Sequence, residues 1–257
     1  MRVTVEGEKI FYVTGKEPAP TTVLAIHGSG GDHTHWPYRL NQLPGVGFIA
    51  VDLPGHGASS GEGQDRVDAY ADFIESLVAT LALPRAILMG HSLGGAIVQT
   101  IALREPSWLS GLILVGTGAR LRVDLDILNG LRLSFGAAVD RICRRAYGPT
   151  ASPELIRTGR EGLLKTSPDV LFGDYTACDR FDRMADIHAI RLLTLVVAGD
   201  ADQLTPLKYG EYLQEHISGA RLAVIPGGGH MMAVEQPELF TQHVGSFLAT
   251  FTPQKDR

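Results

Sequence analysis

Several protein classes are excluded by what this chain has little of. Its 257 residues include only two cysteines, Cys143 and Cys178, too few for a disulfide framework. Two thiols suit a reducing compartment, and a cytoplasmic protein is the expectation. No apolar run approaches the roughly 18 residues needed to span a bilayer. Met1 to Glu8 alternates polar and apolar residues, unlike a signal peptide. Positive charge is not in excess: 23 Lys and Arg against 28 Asp and Glu give a formal net charge of −5 at pH 7. No basic field therefore draws nucleic acid or an anionic membrane surface. A G-x-G-x-x-G run is absent, and no lysine follows the glycine-rich stretch near residue 30, which argues against a nucleotide site. What remains, at 44% hydrophobic and 20% charged residues, is an ordinary globular composition with enough chain for one large core.

Strand-like and helix-like segments alternate. Val3–Val5 and Ile10–Val13 read as a hairpin joined through Gly7. Thr22–Ile26, Phe48–Val51, Ala86–Met89 and Leu112–Val115 are continuous apolar runs, the pattern of strands buried on both faces. Leu192–Ala198 and Leu222–Ile225 are the last two strand candidates. Asp65–Leu83 is amphipathic at helical spacing, and helices are also expected from Leu93 to about Arg104, over Leu207–His216 and over Pro237–Phe251. Such alternation predicts a mostly parallel sheet of about eight strands with helices on both faces. Function in such sheets sits in loops beyond the carboxyl ends of the strands.

From about Thr117 to Ile190 this rhythm breaks. The stretch has no convincing strand, and Leu125, Leu128, Leu131, Leu133 and Phe135 fall at helical spacing. Roughly 70 residues exceed what one crossover needs. We read 117–190 as a helical cap inserted after the sixth strand, with 1–116 and 191–257 forming the core domain.

The most informative motif is Gly90-His91-Ser92-Leu93-Gly94, between a strand and a helix. A serine with glycines two residues away on either side marks the nucleophile elbow. The turn is tight enough to strain the serine backbone, and a side chain at Gly90 or Gly94 would meet neighbouring backbone. The N–H of Leu93 then points where an oxyanion would form.

A serine hydroxyl is a poor nucleophile at neutral pH and needs a base, usually a histidine oriented by a carboxylate. With an elbow the chain order is Ser, then Asp or Glu, then His. Asp200 and Asp202 both follow the Leu195–Ala198 strand, and His230 follows the last strand at the Gly-rich turn Pro226-Gly227-Gly228-Gly229. The other histidines have plainer readings. His243 lies mid-helix, His216 ends a helix, and His91 should point away from the reacting centre. His33, His35 and His56 show no ligand spacing for a metal.

Together these motifs resemble the α/β-hydrolase superfamily, and a serine carboxylesterase-like member with a helical cap in particular. The matches are the elbow, Ile26-His27-Gly28-Ser29-Gly30-Gly31, Asp52-Leu53-Pro54-Gly55-His56-Gly57, the acid loop ending in Pro206, and the Gly-His loop running to Glu235-Gln236-Pro237. The resemblance implies an α/β-hydrolase fold and a Ser92, Asp202, His230 triad, since the family's acid lies four residues before the loop proline. Asp200 would then cap the following turn. The resemblance also implies an oxyanion hole built from the amides of Ser29 and Leu93, and chemistry without metal or organic cofactor. The expected substrate is a small-molecule ester or lactone. A serine at the elbow disfavours dehalogenase and epoxide-hydrolase chemistry, which use aspartate there. Carbon–carbon hydrolases of ring-cleavage products commonly carry tryptophan after the histidine, where this chain has Met231. A carboxylesterase is the first expectation, an enol-lactonase the second and a carbon–carbon hydrolase the third, with a non-catalytic receptor as the contrasting class. Leu128, Leu131, Phe135, Met231 and Met232 are the expected pocket residues, and a monomer or homodimer is the expected state.

Overall fold

The computed structural model describes residues 1–15, 19 and 21–251. Residues 252–257, the end of the expected core domain, lie outside the described residues. The strands are β1 (Arg2–Val5), β2 (Glu8–Thr14), β3 (Thr22–Ile26), β4 (Gly47–Val51), β5 (Ala86–His91), β6 (Leu109–Val115), β7 (Thr194–Gly199) and β8 (Arg221–Ile225). They form one eight-stranded sheet in the order β1-β2-β4-β3-β5-β6-β7-β8. The β1–β2 and β2–β4 pairs are antiparallel, and the rest are parallel.

The apolar runs are buried on both faces because successive side chains point to opposite sides of a strand. Leu24 and Ile26 of β3 join Leu88, Leu112, Leu114 and Val196 on one face. There they pack under α1 (Val67–Thr80) and α2 (Leu93–Ala102), through Ile74, Leu77, Ile97 and Ile101. Val23 and Ala25 point the other way and join Ile87, Met89, Ile113, Val197 and Ile225. That face is covered by Phe240, Val244 and Phe247, a further stripe at helical spacing.

Four helices connect β6 to β7: α3 (Leu125–Leu133), α4 (Phe135–Ala146), α5 (Pro153–Lys165) and α6 (Pro168–Arg180). Their own small core is Ile127, Leu131, Ala138, Val139, Ile142, Cys143 and Leu171. The leucine spacing predicts one continuous stripe over 125–135, but the chain breaks at Ser134 (φ −155°, ψ 76°) between α3 and α4. Leu125 and Leu133 consequently stand exposed at 69% and 86%. After β7 come α7 (Leu207–His216), β8, α8 (Met232–Glu235) and α9 (Pro237–Leu248). The four-residue α8 is too short for a periodic signal. Among the described residues no helix is long and apolar enough to cross a membrane.

The sheet order reverses between β3 and β5: the chain steps from β3 to β4 on one side and from β5 to β6 on the other. A crevice opens at such a switch point, beyond the carboxyl ends of the strands. Ser29 follows β3 there, and Ser92 follows β5.

Candidate active site

Ser92 sits between the last residue of β5 and the first of α2 with φ 52° and ψ −113°, a left-handed backbone for a residue with a side chain. The surroundings hold it there. Its N–H donates to the Val115 carbonyl at 2.9 Å, and its carbonyl accepts the Thr117 hydroxyl at 2.9 Å. The flanking glycines are obligatory: a Cβ on Gly90 would lie 2.2 Å from the Gly94 carbonyl oxygen, and one on Gly94 would lie 2.2 Å from that of Ile26. Helix α2 is thereby pressed against the end of β3.

Asp202 and His230 come from the loops after β7 and β8. Asp202 Oδ2 lies 2.8 Å from His230 Nδ1 and accepts the Thr205 hydroxyl at 2.7 Å. Its Oδ1 takes the amides of Leu204 and Thr205 at 2.8 and 2.9 Å. Burial alone would push the Asp202 carboxyl up, but the His230 ring and these donors hold it below the ordinary value. A carboxylate at Nδ1 places the ring proton there and leaves Nε2 as the basic nitrogen. Asp200 is elsewhere: its Oδ1 accepts the Gly227 amide at 2.6 Å. It therefore ties the two loops together across β7 and β8, and does not cap its own turn.

Ser92, His230, Ser29 and Met231 line one cavity of about 180 Å³ between the strand ends and α3–α6. At roughly 10–15 Å³ per water position this is room for about a dozen waters, a volume for a small molecule. Neither the Ser92 hydroxyl nor His230 Nε2 has a hydrogen-bond partner among the described residues. The amides of Ser29 and Leu93 are likewise without partners among the described residues. Leu93 opens α2, where the first N–H groups have no carbonyl one turn back. Such an arrangement can pass a proton from hydroxyl to imidazole and supply two main-chain donors to a developing oxyanion.

The Ser29 loop is shaped by His27. His27 Nε2 accepts the Leu53 amide at 3.0 Å, so its Nδ1 carries the proton and donates to the Gly28 carbonyl at 2.8 Å. Burial, then the neighbouring His56, keeps its pKa well below the ordinary imidazole value. His91 departs from the expectation that it points away. Its ring lies 4.6 Å from that of His230, Nε2 donates to the His230 carbonyl at 2.9 Å, and it lines the cavity. Burial and the His230 ring press its pKa well down, so it is a neutral support.

Of the expected pocket residues only Met231 lines the cavity. Leu131 is spent in the core of the four helices, Phe135 packs at that core's edge, and Leu128 is half-buried on α3. Met232 points into the core beneath the sheet. The wall is made instead by Ile127, Ile142, Leu163, Tyr147 and Tyr175, together with both thiols, Cys143 and Cys178. The leucine stripe was read one residue out of phase, since Ile127 rather than Leu128 faces the cavity. The cysteines are free and buried.

Known proteins were compared with this geometry. A solved structure of a thermophilic esterase is 40% identical, covers 97% of each chain and superposes with a TM-score of 0.86. A pimeloyl-(acyl-carrier protein) methyl ester esterase of Neisseria meningitidis is 28% identical over 85% of this chain and 90% of its own length. The 3-oxoadipate enol-lactonase 2 of Acinetobacter baylyi is 25% identical over 97% of this chain and 96% of its own. Residues 23–243 match the model of the alpha/beta hydrolase family, and the chain belongs to that family.

Proposed function

We propose that this hydrolase cleaves carboxylic esters of small to medium acyl groups, with Ser92 as nucleophile, His230 as base and Asp202 as its orienting acid. Residues 117–190 act as a cap over the site. The observation that carries the reading is the 2.8 Å Asp202–His230 pair opening on the same cavity as the strained Ser92. His230 Nε2 takes the Ser92 proton as Oγ bonds to the acyl carbon, and the oxyanion rests on the Ser29 and Leu93 amides. His230 returns the proton to the leaving alcohol oxygen as the carbon–oxygen bond breaks. Water then adds to the acyl-enzyme through the same base, releasing the acid and restoring Ser92. The 40% identical thermophilic esterase supports an ester substrate.

An enol-lactone is the second reading, supported by the Acinetobacter lactonase relative, because ring opening of a cyclic ester uses the same groups. A panel of 4-nitrophenyl esters and enol-lactones, assayed with the wild type and Ser92→Ala, tests both. Turnover unchanged by Ser92→Ala rejects the nucleophile. Failure of a fluorophosphonate to label wild-type Ser92 points to a receptor.

A further inference from the structure

Asp174 has no solvent exposure. It stands in the buried stripe of α6 between Val170, Leu171, Ala177 and Cys178, where a charge is costly unless paired. Its Oδ2 accepts the Gly30 amide and faces His56 Nε2, each at 2.8 Å, and its Oδ1 accepts the Tyr70 hydroxyl at 2.6 Å. His56 Nδ1 meets the Pro54 carbonyl at 3.0 Å. Both ring nitrogens thus face acceptors, so His56 carries two protons and is the counter-ion. Although burial opposes its charge, Asp174 raises its pKa.

The position of Gly30 gives this cluster its use. Ser29 lies between two peptide planes, and fixing both fixes the direction of its N–H. The plane before it is held from the core, where the Gly28 carbonyl takes His27 Nδ1 at 2.8 Å and the Gly31 amide at 3.0 Å. The plane after it ends in the Gly30 amide, and that is held by Asp174. The next carbonyl, Gly30 O, accepts the Thr166 hydroxyl at 3.0 Å. Leu163 and Leu171 close over the same glycine: a Cβ on it would lie 2.8 and 2.5 Å from their methyl carbons. Every one of these outer holds comes from the α5–α6 segment.

We propose that Asp174 and Thr166 are positioning residues: from α5–α6 they clasp both peptide groups of Gly30 and so aim the Ser29 amide at the oxyanion. This rests on the ester-hydrolase reading above. Oxyanion stabilisation then depends on α6 being seated, and the cap serves turnover as well as substrate fit.

The test compares Asp174→Asn, Thr166→Val and Tyr70→Phe on 4-nitrophenyl acetate, with a trifluoromethyl ketone as an oxyanion-forming inhibitor. Outright loss of one oxyanion donor costs about 100- to 1000-fold, so a donor that is only loosened should cost less. Asp174→Asn should lower kcat about ten- to a hundredfold and Thr166→Val about three- to tenfold, with KM within about threefold and ketone affinity falling in step with kcat/KM. Tyr70→Phe breaks a bond on the far oxygen; it should lower the thermal midpoint and leave kcat within about twofold. Wild-type kcat in Asp174→Asn and Thr166→Val overturns the proposal. So does a fall in kcat without a fall in ketone affinity, or a loss in Tyr70→Phe as large as in Asp174→Asn. Should Asp174→Asn not fold, wild-type kcat and ketone affinity in Thr166→Val suffice to overturn it. An unlabelled wild-type Ser92 under fluorophosphonate defeats the ester-hydrolase reading, whereas a labelled Ser92 with unaltered variants defeats only the positioning role.

Discussion

Asp200 and Asp202 stand two positions apart and serve different loops: Asp202 Oδ2 lies 2.8 Å from His230 Nδ1, while Asp200 Oδ1 takes the Gly227 amide at 2.6 Å. The two carboxylates should therefore separate cleanly under mutation. Asp202→Asn offers an amide N–H to His230 Nδ1, favours the wrong tautomer and should lower kcat by about 10⁴. Asp200→Asn should leave kcat within about threefold and lower stability by about 1 kcal/mol. Steady-state kinetics and thermal melts on both variants check this, and equal activity losses would contradict it.

The elbow glycines make a prediction about folding. Gly94→Ala must place a methyl where the Ile26 carbonyl oxygen is 2.2 Å away, with the His27 carbonyl at 2.7 Å. Backbone at both points cannot yield without parting α2 from β3. A loss above about 3 kcal/mol is expected, against at most about 1 kcal/mol for Gly136→Ala, where nothing lies within 4 Å of the new carbon. Denaturant midpoints compare the two.

Four buried histidines set the pH dependence of stability, and they do not all act in one direction. Burial chiefly, with neighbouring imidazoles, lowers the pKa values of His27, His35 and His91 below 6.5. Below about pH 6.5 the unfolded chain binds protons there that the folded chain refuses. Stability should thus fall on acidification, approaching about 1.4 kcal/mol per pH unit for each such proton. His56 has the opposite sign: burial opposes its charge, yet Asp174 raises its pKa above 6.5. Its contribution is complete below that pH and is lost as pH climbs through the raised value. Urea midpoints should rise from about pH 5 to pH 7 and decline slightly above. A flat acid limb would contradict the neutral histidine cluster.

Acyl-chain preference should follow Ile127 and ignore Leu128. Ile127 lines the cavity, and its truncation to Ala opens room for roughly two or three more methylenes. Since one methylene in an apolar pocket shifts preference by about 1–3 kcal/mol, the kcat/KM ratio of 4-nitrophenyl octanoate to acetate should rise at least tenfold. Leu128→Ala should leave that ratio unchanged. Specificity ratios across an ester series decide the matter.

The contrast between these leucine and isoleucine neighbours shows where sequence reading succeeds and where it stops. The central strands were legible because Thr22–Ile26 and Ala86–Met89 are continuous apolar runs that only a doubly covered parallel strand accommodates. The Ser92 loop was legible because its glycines answer to close backbone contacts. Asp202 was separated from Asp200 by distance to Pro206, not by any physical property of the two carboxylates. The pocket wall was misread because a helix break at Ser134 resets the phase of the stripe, and no residue there announces it. His91 was misplaced because its contact with His230 joins residues 139 apart in sequence. Asp174 did leave a trace, a lone acid on the apolar face of α6; its partners Gly30, His56 and Tyr70 are supplied only by the fold.

The two sulfhydryls in the cavity wall bear on which compounds the enzyme survives. Burial, with Asp140 beside one and Asp174 beside the other, pushes Cys143 to about 11 and Cys178 to about 12, even though Cys178 touches the Ser29 hydroxyl at 3.6 Å. Fewer than about one in a thousand of either is thiolate at neutral pH, and only the thiolate alkylates readily. A chamber armed with one activated alcohol and two silent sulfurs can admit α,β-unsaturated acyl groups and hydrolyse them without being consumed.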